Sequence, residues 1–187
     1  DIMTHAAKRG LICFSSPFDT SAVDFLESLG VGAYKIASAE VIDHALVEYV
    51  AETGKPIIIS TGMATLFEIA EAVAVCRSVG NKNIALLQCT ASYPASPENS
   101  NILTIPNMRE TFGCEVGLSD HTMGVGAAVG AVALGATIIE KHFTLRRSDG
   151  GIDSVFSLEP SELAQLVVET ERVNLALGLV SYGPTES

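Results

Sequence analysis

Two histidines, His121 and His142, each close a short apolar run, and each follows a polar residue two positions earlier, Ser119 and Glu140. Side chains alternate along a strand, so Ser119 shares a face with His121, and Glu140 with His142. On neighbouring strands about 4.8 Å apart, both imidazoles would project from adjacent strand ends into one site. Two neutral imidazoles with carboxylate and water nearby, here Asp120 and Glu140, suit a divalent ion with open coordination positions. The alternative is that each histidine caps a helix or satisfies a buried polar group. His5 and His44 stand in terminal or helical contexts and read as solvated surface groups.

Lys35 opens the sequence Lys35-Ile36-Ala37-Ser38 on a run that reads as a buried strand. An ammonium there is costly unless it meets an anion or serves as an amine nucleophile. Two chemistries stay open: a point charge for phosphate, or a lysine that forms a Schiff base. Ser38, Ser60 and Ser119 would supply neutral donors to the same phosphate, with Gly62 allowing close backbone approach. Serines of this kind also cap helices. Lys141 alternates with His142 and is expected to face the helices as a structural ion-pair partner. Tyr93-Pro94 enters a loop where a phenol can meet a polyol or a carboxylate. Gly150-Gly151-Ile152-Asp153 is a glycine-hinged loop that would carry Asp153 over the mouth, though the same residues suit an ordinary turn.

The elements that must position these groups are legible as apolar runs at residues 11–14, 33–36, 56–59, 84–87, 115–118 and 136–139. They are short and do not alternate with polar residues, as parallel strands covered on both faces do not. Helical stretches fall at 21–29, 64–79, 124–134 and 161–177, the last opened by Pro160-Ser161-Glu162. Alternating βα units imply an α/β fold with a parallel sheet. Neither a G-x-G-x-x-G nor a P-loop sequence is present, whereas polar residues recur after every apolar run. Functional groups converging from many strand ends are the habit of a (β/α)8 TIM-type barrel, which has eight units and about 250 residues. About six of the eight are visible, with exposed edges expected beside 11–14 and 136–139.

Composition narrows the function classes. With 22 Asp+Glu against 11 Lys+Arg in 187 residues, the net charge is −11, and no basic run offers a footprint for nucleic acid or an anionic membrane. A hydrophobic fraction of 48% excludes disorder. Residues 122–139 carry no charge and approach the length of a membrane span, but Gly124, Gly126, Gly130 and Gly135 punctuate them. A buried helix, a turn and a buried strand are expected there. The four cysteines show no C-x-x-C spacing; Cys13 and Cys89 read as buried reduced thiols in a reducing, cytoplasmic compartment. The chain opens on Asp1, not Met, and reads as starting in mid-protein.

Taken together, several segments resemble the sialic acid synthase family. They are Phe14-Ser15-Ser16-Pro17-Phe18-Asp19, Lys35-Ile36-Ala37-Ser38, Gly54-Lys55-Pro56 through Ser60-Thr61-Gly62-Met63, Cys89-Thr90 and Tyr93-Pro94. Gly117-Leu118-Ser119-Asp120-His121-Thr122 and Glu140-Lys141-His142-Phe143-Thr144 complete the set. Asp149-Gly150-Gly151-Ile152-Asp153 with Phe156-Ser157-Leu158-Glu159-Pro160 leans toward the pseudaminic acid branch over the N-acetylneuraminate branch.

The resemblance implies condensation of phosphoenolpyruvate with an open-chain acylamino sugar to a nine-carbon acidic sugar and phosphate. By similarity His121 and His142 would hold a divalent metal, manganese first, with magnesium or cobalt as substitutes. Lys35, Ser38, Ser60 and Ser119 would cradle phosphoenolpyruvate, while Glu40, Tyr93 and Asp153 meet the sugar. Lys35, Glu40, His121 and His142 form the expected catalytic set. The family works as a homodimer with a C-terminal antifreeze-like domain, and its barrel begins with two further strands that carry a catalytic Glu and a second Lys. Residues 1–187 are thus expected to be one incomplete barrel domain, inactive or nearly so by itself. Gln88 stands where relatives often have Lys or His, and Ala91 where a hydrogen-bonding side chain is common. Another metal-dependent phosphoenolpyruvate sugar-acid synthase, or a non-catalytic partial barrel, is the alternative.

Overall fold

In the computed structural model, which describes residues 2–183, two helices come first, α1 (Ile2–Lys8) and α2 (Thr20–Ser28). Strands and helices then alternate: β1 (Tyr34–Ile36), α3 (His44–Glu52), β2 (Ile57–Ser60), α4 (Leu66–Ser78), β3 (Ile84–Cys89) and α5 (Thr104–Phe112). β4 (Glu115–Asp120), α6 (Gly126–Ala133), β5 (Ile139–Lys141) and α7 (Pro160–Leu177) follow among the described residues. Asp1 and residues 184–187 lie outside the described residues.

The five strands form one parallel sheet in the order β1-β2-β3-β4-β5. Sequential order without reversal is the arc of a barrel wall, whereas a doubly wound sheet reverses at its centre. Curvature follows from one contact. Four strand spacings separate β1 from β5, about 19 Å in a flat sheet, yet Lys35 Nζ lies 3.8 Å from Glu140 Oε2. Two side chains cannot bridge that gap, so the sheet curls until its edges face each other across the interior.

The core fills the space between the outer face of the sheet and the helices. Tyr34, Ile36, Ile57, Ile59, Leu86 and Leu118 pack there against Val47, Val50, Ile69, Val73, Ile105 and Met108, all buried. Each buried aliphatic contributes about 1.5–3 kcal/mol relative to exposure. Gly117 permits the tightest approach in the sheet: a Cβ there would meet Ile138 O at 2.2 Å and Leu87 Cδ2 at 2.8 Å. The uncharged segment 122–139 is a short helix, a turn at Gly135 (φ 93) and the start of β5. No helix among the described residues is long and apolar enough to cross a membrane.

Several expectations need correction. Residues 11–14 form no strand; a parallel bridge between Ser15 and Tyr34 is the pairing made there, and Leu11 and Ile12 are exposed. Among the described residues no strand pairs with the outer side of that run. The last strand starts only at Ile139 and extends to Lys141, because its ladder partners are Leu118, Ser119 and Asp120. Helices α1, α3 and α5 were not among the stretches named, although His5 and His44 were read in terminal or helical contexts. Cys13 is half-buried, not buried, and His44 is half-buried with Nε2 3.9 Å from Glu71, while His5 is exposed. All four cysteines are free.

Candidate active site

The C-terminal ends of the strands bring together a pocket of about 290 Å³ lined by Lys35, Ser38, Ser60, Cys89, Tyr93, Ser119, His121, Glu140 and His142, with Ser16 and Ala37. Larger grooves exist, such as one of about 600 Å³ at the opposite strand ends, where Arg109 is paired with Glu115. Convergent titratable groups distinguish the smaller pocket, and those mark a site better than volume does.

One half of the pocket is a cationic cradle. Lys35, 9% exposed on β1, donates to Ser60 Oγ at 2.7 Å and to Ile36 O at 3.0 Å. Ser119 Oγ donates to Glu140 Oε1 at 2.6 Å, so Glu140 ties β4 to the lysine. Burial holds the Lys35 ammonium below its ordinary pKa, and the Glu140 carboxylate opposes that shift. Ser38 Oγ accepts from Gly62 N at 3.0 Å, which keeps its own proton free for another acceptor. A Cβ on Gly62 would crowd Cys89 Sγ at 3.1 Å and Ser38 Oγ at 3.2 Å, so glycine keeps this wall close. The capping alternative fails for these serines: Thr65 caps α4, and Ala37 precedes the 3-10 turn Ser38–Ile42.

The other half is a cluster of rings. His121 and His142 follow β4 and β5 directly, with ring centroids 5.2 Å apart at 68°. Tyr93 lies 4.3 Å from His121, and Phe156 lies 4.9 Å from His142. His121 Nδ1 is 3.0 Å from Thr90 O. Burial lowers the pKa of His121, with the Thr90 carbonyl opposing and His142 adding to the fall. Burial raises that of the Tyr93 phenol.

Asp153 and Glu40 lie outside the pocket lining. Asp153 Oδ2 is 3.6 Å from His142 Nδ1, at the rim and half-exposed. Glu40, on the 3-10 turn, has a buried Oε2 with no hydrogen-bond partner and raises the Lys35 pKa through its charge. Asp120, expected beside the histidines, is on the opposite face of β4, where strand alternation must put it; it pairs with Lys141, which faces the helices as expected. Sequence reasoning did not assign Ser16 or Cys89 to the pocket they line, and it missed Phe156 beside it. Phe156 is 4% exposed and walls His142, and its signal was its place in a segment read only for lineage.

A metal ion is tested by the donors present. Two imidazoles close together present nitrogen donors, but no group of three His, Cys, Asp or Glu among the described residues is arranged to hold an ion. That set fits an open ion completed by water or substrate oxygens, not a closed structural site.

A family model described as NeuB family matches residues 1–182. The chain is 44% identical over 173 residues to the pseudaminic acid synthase of Helicobacter pylori, covering 92% of this chain and 51% of that protein. It is 42% identical over 180 residues to the N,N'-diacetyllegionaminic acid synthase of Campylobacter jejuni, covering 95% and 54%. The crystal structure of N-acetylneuraminic acid (sialic acid) synthetase from Leptospira borgpetersenii, in complex with citrate, superposes with a TM-score of 0.94 at 36% identity, covering 98% of this chain and 64% of that one. The chain spans about half the length of the curated relatives it matches.

Proposed function

The chain belongs to the NeuB family, and on that premise we propose that it carries the active-site mouth of a synthase condensing phosphoenolpyruvate with an open-chain acylamino sugar. The observation that carries this reading is the juxtaposition of the Lys35–Ser60 cradle and the His121–His142 pair in one small pocket. A phosphoenol and an aldehyde need those two kinds of environment side by side.

The chain's residues divide the work. Lys35 Nζ supplies the charge for the phosphate, Ser38 and Ser60 supply hydroxyl donors around it, and Ser119 would join them on turning its proton away from Glu140. The enol C3 bonds to the aldehyde carbon, whose oxygen takes a proton; water adds at C2, and the C2–O bond to phosphate breaks to release phosphate. His121 and His142 would hold a divalent ion, and imidazole favours manganese over magnesium, which prefers oxygen. When bound, that ion supplies Lewis acidity toward the aldehyde oxygen. Tyr93 presents its phenol to the sugar, Asp153 presents a carboxylate to its hydroxyls from the rim, and Glu40 is the second carboxylate assigned to them. The segments 149–153 and 156–160 favour a pseudaminic-type substrate over N-acetylneuraminate. A cytoplasmic homodimer is part of the same reading.

The test is phosphate release by a protein of the relatives' full length that includes this chain, given phosphoenolpyruvate, Mn2+ and each candidate acylamino sugar. Release that requires both metal and sugar, with a nine-carbon acid as product, supports the proposal. Release without any sugar, or none with every acylamino sugar, refutes it.

A further inference from the structure

On the helix-facing side of β4 and β5, directly behind the histidine pair, lies a buried constellation that the proposed chemistry leaves unused. Asp120 and Lys141 are register partners, with Nζ 2.9 Å from Oδ2 and side chains only 1% and 3% exposed. Lys141 Nζ also donates to Thr122 O at 2.6 Å, and Thr122 N donates to Asp120 Oδ1 at 2.9 Å. One ammonium from β5 therefore grips the residues immediately before and after His121, while its own next neighbour in the chain is His142. On the far side, Ala95 N donates to His121 O at 2.9 Å.

Burying two charges carries a desolvation penalty that their attraction only roughly offsets, so stability alone is a poor reason for this pair. Fixing register is the best-attested use of such groups. A slip at the end of either strand would turn a histidine out of the pocket, since side chains alternate. We propose that Asp120 and Lys141 are positioning residues that set the separation and facing of the His121 and His142 rings. The metal arm of this proposal rests on the reading given above; the ring geometry does not.

The test replaces both charges at similar volume, with Asp120→Leu and Lys141→Met together, a change that buried pairs commonly tolerate. Three readouts are made on a purified protein of the relatives' full length that includes this chain: thermal unfolding, through-space NMR contacts between the two imidazoles without metal, and Mn2+ affinity by calorimetry. The double variant is expected to stay folded, lose the ring-to-ring contacts, and bind Mn2+ roughly 10- to 100-fold more weakly, the usual effect of losing a partner behind a ligand. Unchanged ring contacts in a folded variant overturn the proposal. Should the double variant not fold, Asp120→Asn decides: it keeps an acceptor for Thr122 N, and the same weakened contacts are expected, with wild-type contacts contradicting. If the unaltered protein binds no Mn2+, the metal reading fails while the ring contacts still decide the positioning role.

Discussion

The Nδ1 of His121 lies 3.0 Å from the carbonyl oxygen of Thr90, and a carbonyl can only accept, so Nδ1 carries the proton and Nε2 is the free nitrogen. Such a bond fixes both tautomer and ring orientation, as backbone carbonyls do behind metal-binding histidines. Removing either imidazole should therefore abolish tight binding of a transition metal without unfolding the chain. His121→Ala and His142→Ala are each expected to lower Mn2+ affinity at least about 100-fold by calorimetry, with circular dichroism unchanged. Wild-type affinity in both variants would remove the metal assignment.

Lys35 distinguishes a phosphate ligand from an imine-forming amine. Its lowered pKa, caused first by burial, is a property that amine nucleophiles share, so direction alone does not choose. The nearby Glu140 carboxylate and the donated bond to Ser60 favour the ammonium. Lys35→Arg keeps the charge but cannot form an imine; phosphoenolpyruvate binding is expected to weaken about tenfold without vanishing, because guanidinium is bulkier and planar. Borohydride with either substrate should leave the protein mass unchanged, and a trapped adduct on Lys35 would reverse the assignment.

The same shift has a pH signature. The folded pKa of Lys35 lies below the ordinary 10.5, so between the two values the unfolded chain binds more protons than the native one. Stability from this group therefore rises with pH through that alkaline window, and Lys35→Met should flatten the rise. A phosphate bound beside the amine raises its pKa, so binding takes up protons there and weakens as pH rises. Calorimetry in two buffers of different ionisation enthalpy measures this uptake; proton release would have the wrong sign.

Strand alternation made much of the site readable. Period two placed Ser119, His121, Glu140 and His142 on the mouth and Lys141 behind it, and the same rule, applied to Asp120, removes it from the mouth. Long-range closure was not readable. Residues 11–14 look like a buried strand because Leu11, Ile12 and Phe14 are apolar, yet hydrophobicity does not say whether a neighbour pairs with them. Helix α5 carries Ile105, Met108 and Phe112 at helical spacing, a stripe that could have been read but is interrupted by Pro106 near its start. Phe156 reaches His142 from a loop, and no periodicity predicts a loop contact.

Gly117 tests the packing that sets the wall. Its absent side chain makes room for Ile138 O and Leu87, so Gly117→Ala forces backbone apart between β4 and its neighbour. The expected loss is about 3 kcal/mol or more, at the upper end for overpacked sites, read from denaturant unfolding. A change below about 0.5 kcal/mol, typical of tolerant surface sites, would mean that the two strands are not held as described.

Titration of phosphoenolpyruvate into a protein of the relatives' full length that includes this chain, with and without Mn2+, in wild type, Lys35→Met and His142→Ala, tests the central claim of a phosphate cradle and a metal pair in one pocket. Lys35→Met is expected to lose phosphoenolpyruvate binding in either condition. His142→Ala should retain it without metal but show no response to Mn2+. Phosphoenolpyruvate binding that is indifferent to Lys35→Met would contradict the account.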